Sequence, residues 1–488
     1  SQAIKIAPED LLNWYNRADA YYYWGDYEEA LNDFEQVLKI DSTYIDAINY
    51  KGLIYKNQGK LELAIKEYEK GIALEKNNSE GAAYSYNNRA ELYARNERYE
   101  EALEDYSKAI QLDPENPIRF FNRAYFYREY LKEYNLALVD YSKAIELNPN
   151  VENYDSRAYL NQYYLIDLDA ALNDYDQILK IAPNNINGIN GKGLIYEEKN
   201  QYELAIKEYT NGIALENNNP EGAAYCYWNR AMLYQKLKRY EEALKDYSKA
   251  IELQPKNAFR YNKRGILHQY YLNNFNLALM DYSKAIQLEP NASNYYQRAA
   301  LYSSLNVIQS AINDYEQILK INPNDAAVIN NIGNIYKKQK NYNKALLAYE
   351  RGIALGNIDP VGASYCFSNR ADIYIKNEEY EKAIQDYTNA IYLDSLNPDR
   401  YINRGKLYKD YLKKQDLALK DFSKAIELNQ KKPAYYWYRA KTHQLLDNNT
   451  LAEHDYNKSI EIVPEMAYYY NARGFFFSLI GEYKKAHQ

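Results

Sequence analysis

The sequence predicts an all-α protein, a right-handed solenoid (superhelix) of stacked antiparallel helix-turn-helix hairpins. Three observations predict it. A unit of roughly 34 residues recurs along the chain, small and apolar residues inside it follow a helical period, and each unit holds two such stretches separated by a short polar break. Two helices of about 13 residues cannot bury both apolar stripes alone, so neighbouring hairpins must stack to complete the core.

The unit is anchored by a small residue in its second helix: Ala30, Ala64, Ala102, Ala137, Ala171, Ala205, Ala243, Ala278, Ala311, Ala345, Ala383, Ala418, Ala452 and Ala486. Successive spacings run 34, 38, 35, 34, then 34, 38, 35, 33, then 34, 38, 35, 34, and finally 34. The units are thus grouped in fours, and a block of 141 residues, from Ala30 to Ala171, reads as duplicated. The expected organisation is 1–10 as the end of a preceding second helix, units 1–4 over 11–150, units 5–8 over 151–291, units 9–12 over 292–432, and unit 13 with a partial unit 14 over 433–488. These form one continuous solenoid without independent domains. The 38-residue spacing is assigned to a longer loop through 77–81, 218–222 and 357–362. The 35-residue spacing is assigned to one residue added between the helices near Tyr130, Tyr271 and Tyr411.

In the first full unit, Trp14, Arg17, Ala18 and Tyr21 fall on one face of a helix that stops at Gly25-Asp26. A second helix follows, with Tyr27, Ala30, Leu31, Phe34, Val37 and Leu38 on its apolar face. The third unit places Tyr86, Ala90, Tyr93, Ala102, Tyr106, Ala109 and Pro114 at positions 4, 8, 11, 20, 24, 27 and 32; the seventh places Tyr227, Ala231, Tyr234, Ala243, Tyr247, Ala250 and Pro255 there. This pattern resembles the tetratricopeptide repeat family over essentially the whole chain, with thirteen complete units and two broken ones. The resemblance implies a non-catalytic scaffold that binds proteins or extended peptides along a concave groove lined by the first helix, A, of each hairpin.

The chain departs from the family at position 7, where Arg replaces the usual Leu: Arg17, Arg89, Arg123, Arg157, Arg230, Arg264, Arg298, Arg370, Arg404 and Arg439. Each of these units carries Asp at position 23 of its second helix, B: Asp33, Asp105, Asp140, Asp174, Asp246, Asp281, Asp314, Asp386, Asp421 and Asp455. The pair becomes Lys51 with Glu67 and Lys192 with Glu208, and both charges vanish together at Ile332 and Ala348. Charges that change and disappear in pairs predict a structural bridge between the helices of one hairpin rather than a ladder for ligand.

Two further patterns are candidates for binding. Asn recurs at position 5 or 6 of helix A, as Asn16, Asn49, Asn88, Asn122, Asn190, Asn229, Asn330, Asn369 and Asn403. An amide both donates and accepts, so a ladder of them suits capture of a peptide backbone; the alternative is bonding within the hairpin or to water. Tyrosine, at 59 residues, exceeds what the repeat needs and clusters at Tyr21-Tyr22-Tyr23-Trp24, Tyr163-Tyr164, Tyr270-Tyr271 and Tyr468-Tyr469-Tyr470. Consecutive residues point about 100° apart on a helix, so some rings face groove or solvent. They serve either recognition or merely a tolerant surface. The Lys and Asn pair of the carboxylate-clamp variant is absent.

Net charge is −7 with both signs mixed, which predicts no nucleic-acid partner, and no apolar run reaches the ~20 residues of a membrane span. Cys226 and Cys366 occupy equivalent places, too far apart in a solenoid for a disulfide. Sequons at Asn77, Asn291, Asn448 and Asn457 match what chance supplies in an Asn-rich chain, so the default compartment is the cytoplasm and an extracellular one the lesser reading. His268, His443, His454 and His487 lack partners at metal-ligand spacing, and no phosphate loop or nucleophile elbow occurs. No enzyme activity, metal or cofactor is expected. Near-identical blocks with little sign of a specialised pocket favour a rival reading, the building material of a fibre or sheath in which neighbouring copies are the partner. A third reading is an accessory domain of a larger enzyme. Ser1 falls inside a second helix, because 1–8 matches 176–183, and Gln488 stops before the Asp that would face Arg473. Both ends predict a longer array.

Overall fold

The computed structural model describes residues 2–486, which divide into two compact units, up to Pro255 and from Lys256 onward. Ser1, His487 and Gln488, on which part of the reading of the ends and histidines falls, lie outside the described residues. Among the described residues the regular structure is helical throughout. The first unit opens with a short helix, Gln2–Ile6, followed by seven hairpins, from Leu11–Trp24 with Tyr27–Ile40 to Pro220–Lys236 with Tyr240–Leu253. The second begins with Ala258–Tyr270 and Phe275–Leu288 and ends with Ala467–Leu479 and Tyr483–Ala486.

The turn inside each hairpin is closed by the backbone. One residue adopts the left-handed conformation, Gly25 and Gly59 in the first two hairpins and mostly Asn, Lys or Glu elsewhere, such as Glu97 and Lys238. In most hairpins the next amide bonds a carbonyl five residues back, as from Asp26 to Tyr21 at 2.9 Å and from Arg239 to Tyr234 at 2.8 Å; where one residue is added it reaches six back, as from Glu133 to Tyr127 at 3.0 Å. Between hairpins, an Asn or Asp side chain caps the incoming helix: Asn116 accepts from the Ile118 amide, Asn185 from Gly188 and Asp325 from Val328.

The length variations resolve differently from the loop assignment. Where the spacing is 38, helix A itself is longer, with 17 residues in Ser79–Arg95, Pro220–Lys236 and Pro360–Lys376. Asn78, Asn219 and Asp359 cap these helices early, and Pro220 and Pro360 sit in their first turn. Four residues are one helical turn, so the extra length leaves the apolar face in register. A wider docking loop is thereby replaced by a longer helix. At the 35-residue spacing the added residue forms a π-turn over Tyr127–Leu131 in the first block. A second π-turn, Asn161–Leu165, occurs in the fifth hairpin, where the spacing shows nothing because the preceding connection is one residue shorter.

Packing is organised by a small residue against a ring. Every anchor alanine from Ala30 to Ala452 is fully buried, and the aromatic at position 24 is buried in each unit, completely so at Phe34, Tyr68, Tyr141, Tyr209, Tyr282 and Tyr349. Where position 8 is Gly, the ring moves in closer: a Cβ at Gly193 would overlap the Tyr209 ring, and one at Gly333 the Tyr349 ring. Several of the buried phenols bond across the hairpin, Tyr247 to Gln235 at 3.0 Å, Tyr282 to Gln269 at 2.7 Å and Tyr349 to Asn334 at 2.7 Å, whereas the Tyr68 and Tyr141 hydroxyls find no partner among the described residues. Cys226 and Cys366 are free, fully buried and packed where a Cβ on Gly212 or Gly352 would stand. Burial pushes both thiols up to about 12.

In each of the ten Arg units the guanidinium meets its Asp side-on. Arg17 donates to Asp33 at 2.6 and 2.7 Å, Arg89 to Asp105 at 2.7 and 2.8 Å, Arg230 to Asp246 at 2.7 and 2.9 Å, and Arg370 to Asp386 at 2.8 and 2.8 Å. The third nitrogen, Nη1, reaches back to the preceding hairpin. It donates to Ser107 from Arg123, Ser142 from Arg157, Thr210 from Arg230, Ser283 from Arg298 and Ser423 from Arg439, at 2.7–3.2 Å. The acceptor always follows the position-24 aromatic. Where that residue is acidic and position 7 is Lys, the same link is ionic, Lys51 to Glu35 at 3.6 Å and Lys192 to Asp176 at 2.9 Å. Burial raises the Asp105 and Asp174 carboxyls even against their arginines, so the bridge mainly offsets desolvation and selects geometry.

Three outcomes follow from this packing. Arg230→Ala leaves the buried Asp246 unpaired and should cost about 2–3 kcal/mol, below the fully buried limit because water still reaches the guanidinium; amide exchange in helices 220–236 and 240–253 reads it, and unchanged protection would refute the bridge. Gly193→Ala should cost about 1–3 kcal/mol through overpacking against Tyr209, seen as a lowered melting temperature. The unfolded thiols ionise first, so their contribution to stability is complete below the usual thiol range and declines as pH rises toward 12. Folded chain at pH 8 should therefore leave Cys226 and Cys366 unreactive to a chromogenic disulfide reagent until denaturant is added; prompt reaction would contradict their burial.

Candidate functional site

The A helices carry the recurrent asparagines, and the structure separates these into groups. Asn49, Asn88 and Asn330 are buried. Asn49 donates to the Gly81 carbonyl at 3.1 Å and accepts from Ser85 at 2.5 Å, while Asn88 donates to the Tyr84 carbonyl at 2.8 Å. These two amides hold adjacent helical turns and hairpins together. A second group is half-buried and linked from one A helix to the next: Asn122 donates to Asn87 at 3.1 Å, Asn229 to Asn190 at 2.8 Å and Asn369 to Asn330 at 2.9 Å. Asn16 is exposed and Asn403 half-buried.

Each linked amide has two donors and two lone pairs. Asn122 and Asn229 use one donor each in the bonds above, and those bonds fix the orientation of the remainder. Asn87 and Asn262, the latter accepting no place in the sequence-derived ladder, belong to the same network: Asn262 donates to Asn294 at 2.8 Å. Both stand at position 5, inside the register of the ladder itself.

The tyrosine clusters also divide. Tyr23 and Trp24 are exposed, as are Tyr163, Tyr270, Tyr271, Tyr468 and Tyr470, whereas Tyr469 is buried and Tyr164 stacks on Tyr134 at 4.7 Å. In the first hairpins the cluster forms the wall of a cavity of about 650 Å³. Tyr15, Tyr22, Tyr23, Tyr50 and Tyr84 line it, with Asn49, Asn78, Asp46, Glu80 and Arg119. Burial, then the charge of Asp46, pushes the Tyr15 phenol up to about 12. Burial, then Asp19 and the Tyr23 hydroxyl, hold the Tyr50 phenol well above its usual range. Crowding by these rings raises the Asp46 carboxyl, although the residue keeps contact with solvent at the rim. Near-identical blocks in the sequence conceal this pocket, because its tyrosines come from three hairpins and Arg119 from a fourth.

A buried arginine recurs at Arg119, Arg260 and Arg400, which the sequence reading passed over. Arg119 pairs with Asp113 at 3.1 Å and lies over the Tyr84 ring; Arg400 donates to Ser364 and Ser368 and lies over Tyr365. Its signal is a spacing of one block. No group of three or more His, Cys, Asp or Glu side chains among the described residues is arranged to hold a metal ion. No helix of the described chain is long and apolar enough to cross a membrane.

Comparison with known proteins accords with this geometry. Models described as tetratricopeptide repeat match residues 14–44, 83–116 and 224–257, and others so described match 45–78, 119–151, 188–219, 292–325, 398–432 and 314–346. A model described as TPR repeat matches 371–410. Tetratricopeptide repeat protein 6 of Homo sapiens is 30% identical over 122 residues, 25% of this chain and 22% of that protein. Small glutamine-rich tetratricopeptide repeat-containing protein 2 of Saccharomyces cerevisiae is 32% identical over 79 residues, 16% of this chain and 23% of its own length. The chain therefore spans under a quarter of the length of these relatives. Among solved structures, yeast Tom70 aligns over 91% of this chain and 97% of its own, at 16% identity and a TM-score of 0.43. With repeat models matching more than half of its length and hairpins closed by the same small-residue and aromatic contacts in copy after copy, the chain belongs to the tetratricopeptide repeat family.

Proposed function

We propose that this chain is a protein-interaction scaffold that holds an extended polypeptide along the face of its A helices. The observation that carries the reading is the linked amide network, in which Asn229 is held by Asn190 and Asn369 by Asn330. A peptide backbone presents one donor and one acceptor per residue, and oriented amides match it without reading side chains. Pre-orientation lowers the ordering cost of binding. We assign this role to Asn122, Asn190, Asn229, Asn369, Asn403 and the exposed Asn16, while the buried Asn330 holds Asn369, and Asn49 and Asn88 bond the framework around them. The A-helix face also carries exposed rings, including Tyr23, which supply apolar contact around the polar ladder.

Panning a random twelve-residue peptide library on the whole chain tests this. Enriched peptides should bind about thirtyfold more weakly to the double variant Asn122→Ala/Asn229→Ala, since each of the two lost hydrogen bonds contributes ~1 kcal/mol, with helical circular dichroism retained. Peptides whose affinity ignores both substitutions would remove the amide face from the mechanism.

A further inference from the structure

We propose that the tyrosine pocket of the first three hairpins receives a cationic side chain, an arginine or lysine, of a bound polypeptide. This rests on the scaffold reading and adds the chemistry of one subsite. The first argument is ring geometry. Tyr15 and Tyr50 meet at 76°, Tyr22 and Tyr50 at 75°, and Tyr22 and Tyr23 at 74°, with centroids 5.2–6.1 Å apart. Rings set at right angles bound a corner, and a cation placed there is attracted by the negative ring faces on more than one side.

The second argument is charge. Asp46 and Glu80 stand at the pocket without a cation in salt-bridge range among the described residues. Asp19 acts on the Tyr15 and Tyr50 phenols from the same side, and its Oδ1 is buried with no hydrogen-bond partner. The one cation lining the cavity, Arg119, is already balanced by Asp113 at 3.1 Å. Asp46 and Glu80 at the cavity, with Asp19 close to the Tyr15 and Tyr50 phenols, therefore make a field complementary to a single alkylammonium or guanidinium group.

The third argument comes from the duplicated blocks. Tyr15, Asp19, Asp46 and Tyr50 correspond to Asp155, Tyr159, Asn187 and Gly191 in the second block and to Tyr296, Ala300, Ala327 and Asn331 in the third. The arginine beneath, by contrast, recurs in all three as Arg119, Arg260 and Arg400. The framework is repeated and the combination of rings with acids is not, which marks the first pocket as specialised. Its 650 Å³ accommodates a long side chain with its solvation, and Asn49 at its floor joins it to the amide face along which a peptide would run.

Saturation-transfer NMR on the whole chain tests the proposal with three probes: Nα-acetyl-arginine amide, Nα-acetyl-lysine amide and the neutral Nα-acetyl-citrulline amide. The cationic probes should bind about fivefold more tightly than citrulline, and less tightly as salt rises. Tyr23→Ala and Asp46→Asn, both at exposed positions outside the packed core, should each weaken the cationic probes about fivefold with circular dichroism unchanged. Equal binding of citrulline, or undiminished binding to both variants, would overturn the pocket assignment. Panned peptides that depend on Asn122 and Asn229 but ignore Tyr23 and Asp46 would also overturn it, while leaving the scaffold reading in place.

Discussion

Ten of the hairpins are held by a guanidinium that joins helix A to helix B, and in several of them it reaches a third helix as well. From helix A the arginine grips the aspartate of its own helix B through two parallel hydrogen bonds, and its remaining nitrogen reaches the preceding hairpin, as from Arg230 to Asp246 and Thr210. Planar forked donors make this possible in a way that a lysine ammonium cannot reproduce, which accounts for the longer contacts of 3.5–3.8 Å at Lys51–Glu67 and Lys192–Glu208. Because desolvation consumes much of the Coulomb attraction, the net gain lies in fixing the rotation of A against B and of one hairpin on the next.

That geometry is what allows the rings to pack. Fully buried alanines at position 20 and small residues at position 8 bring the helices close, and the aromatic at position 24 fills the remaining volume to the density of a protein interior. Gly193 and Gly333 show how tightly the two are matched, since a single carbon added there would enter the ring of Tyr209 or Tyr349. Length changes are tolerated only in forms that keep this match. A whole turn added to helix A preserves its face, and a π-turn absorbs a single residue near the end of helix A, ahead of helix B.

The proposed binding face is what the packing leaves over. Buried asparagines such as Asn49 bond neighbouring hairpins and thereby steady the A helices, while half-buried ones such as Asn229 are held by one bond and keep others available. The first block adds a corner of perpendicular tyrosines with uncompensated carboxylates. A surface of oriented amides is tolerant of sequence, whereas a charged aromatic corner is selective, and together they would bind a polypeptide in a defined register.

The repeat, the hairpin and the pairing of Arg with Asp are legible along the chain alone, because each of these rests on residues at constant spacing within a unit or from one unit to the next. Arg17 and Asp33 could be matched from their covariation among copies, and Ala30 and Phe34 from their period, without knowing any distance. The hydroxyl of Thr210 was equally periodic and equally readable, but its partner lies one hairpin away. Three-dimensional packing was needed to show that the four extra residues before Ala82 lengthen a helix, that the fifth hairpin hides a π-turn behind a compensating deletion, and which asparagines are buried. The pocket of Tyr15, Asp46, Tyr50 and Tyr84 belongs to the same class: its members come from three hairpins, and the angle between their rings is set by packing, which no spacing along one chain records.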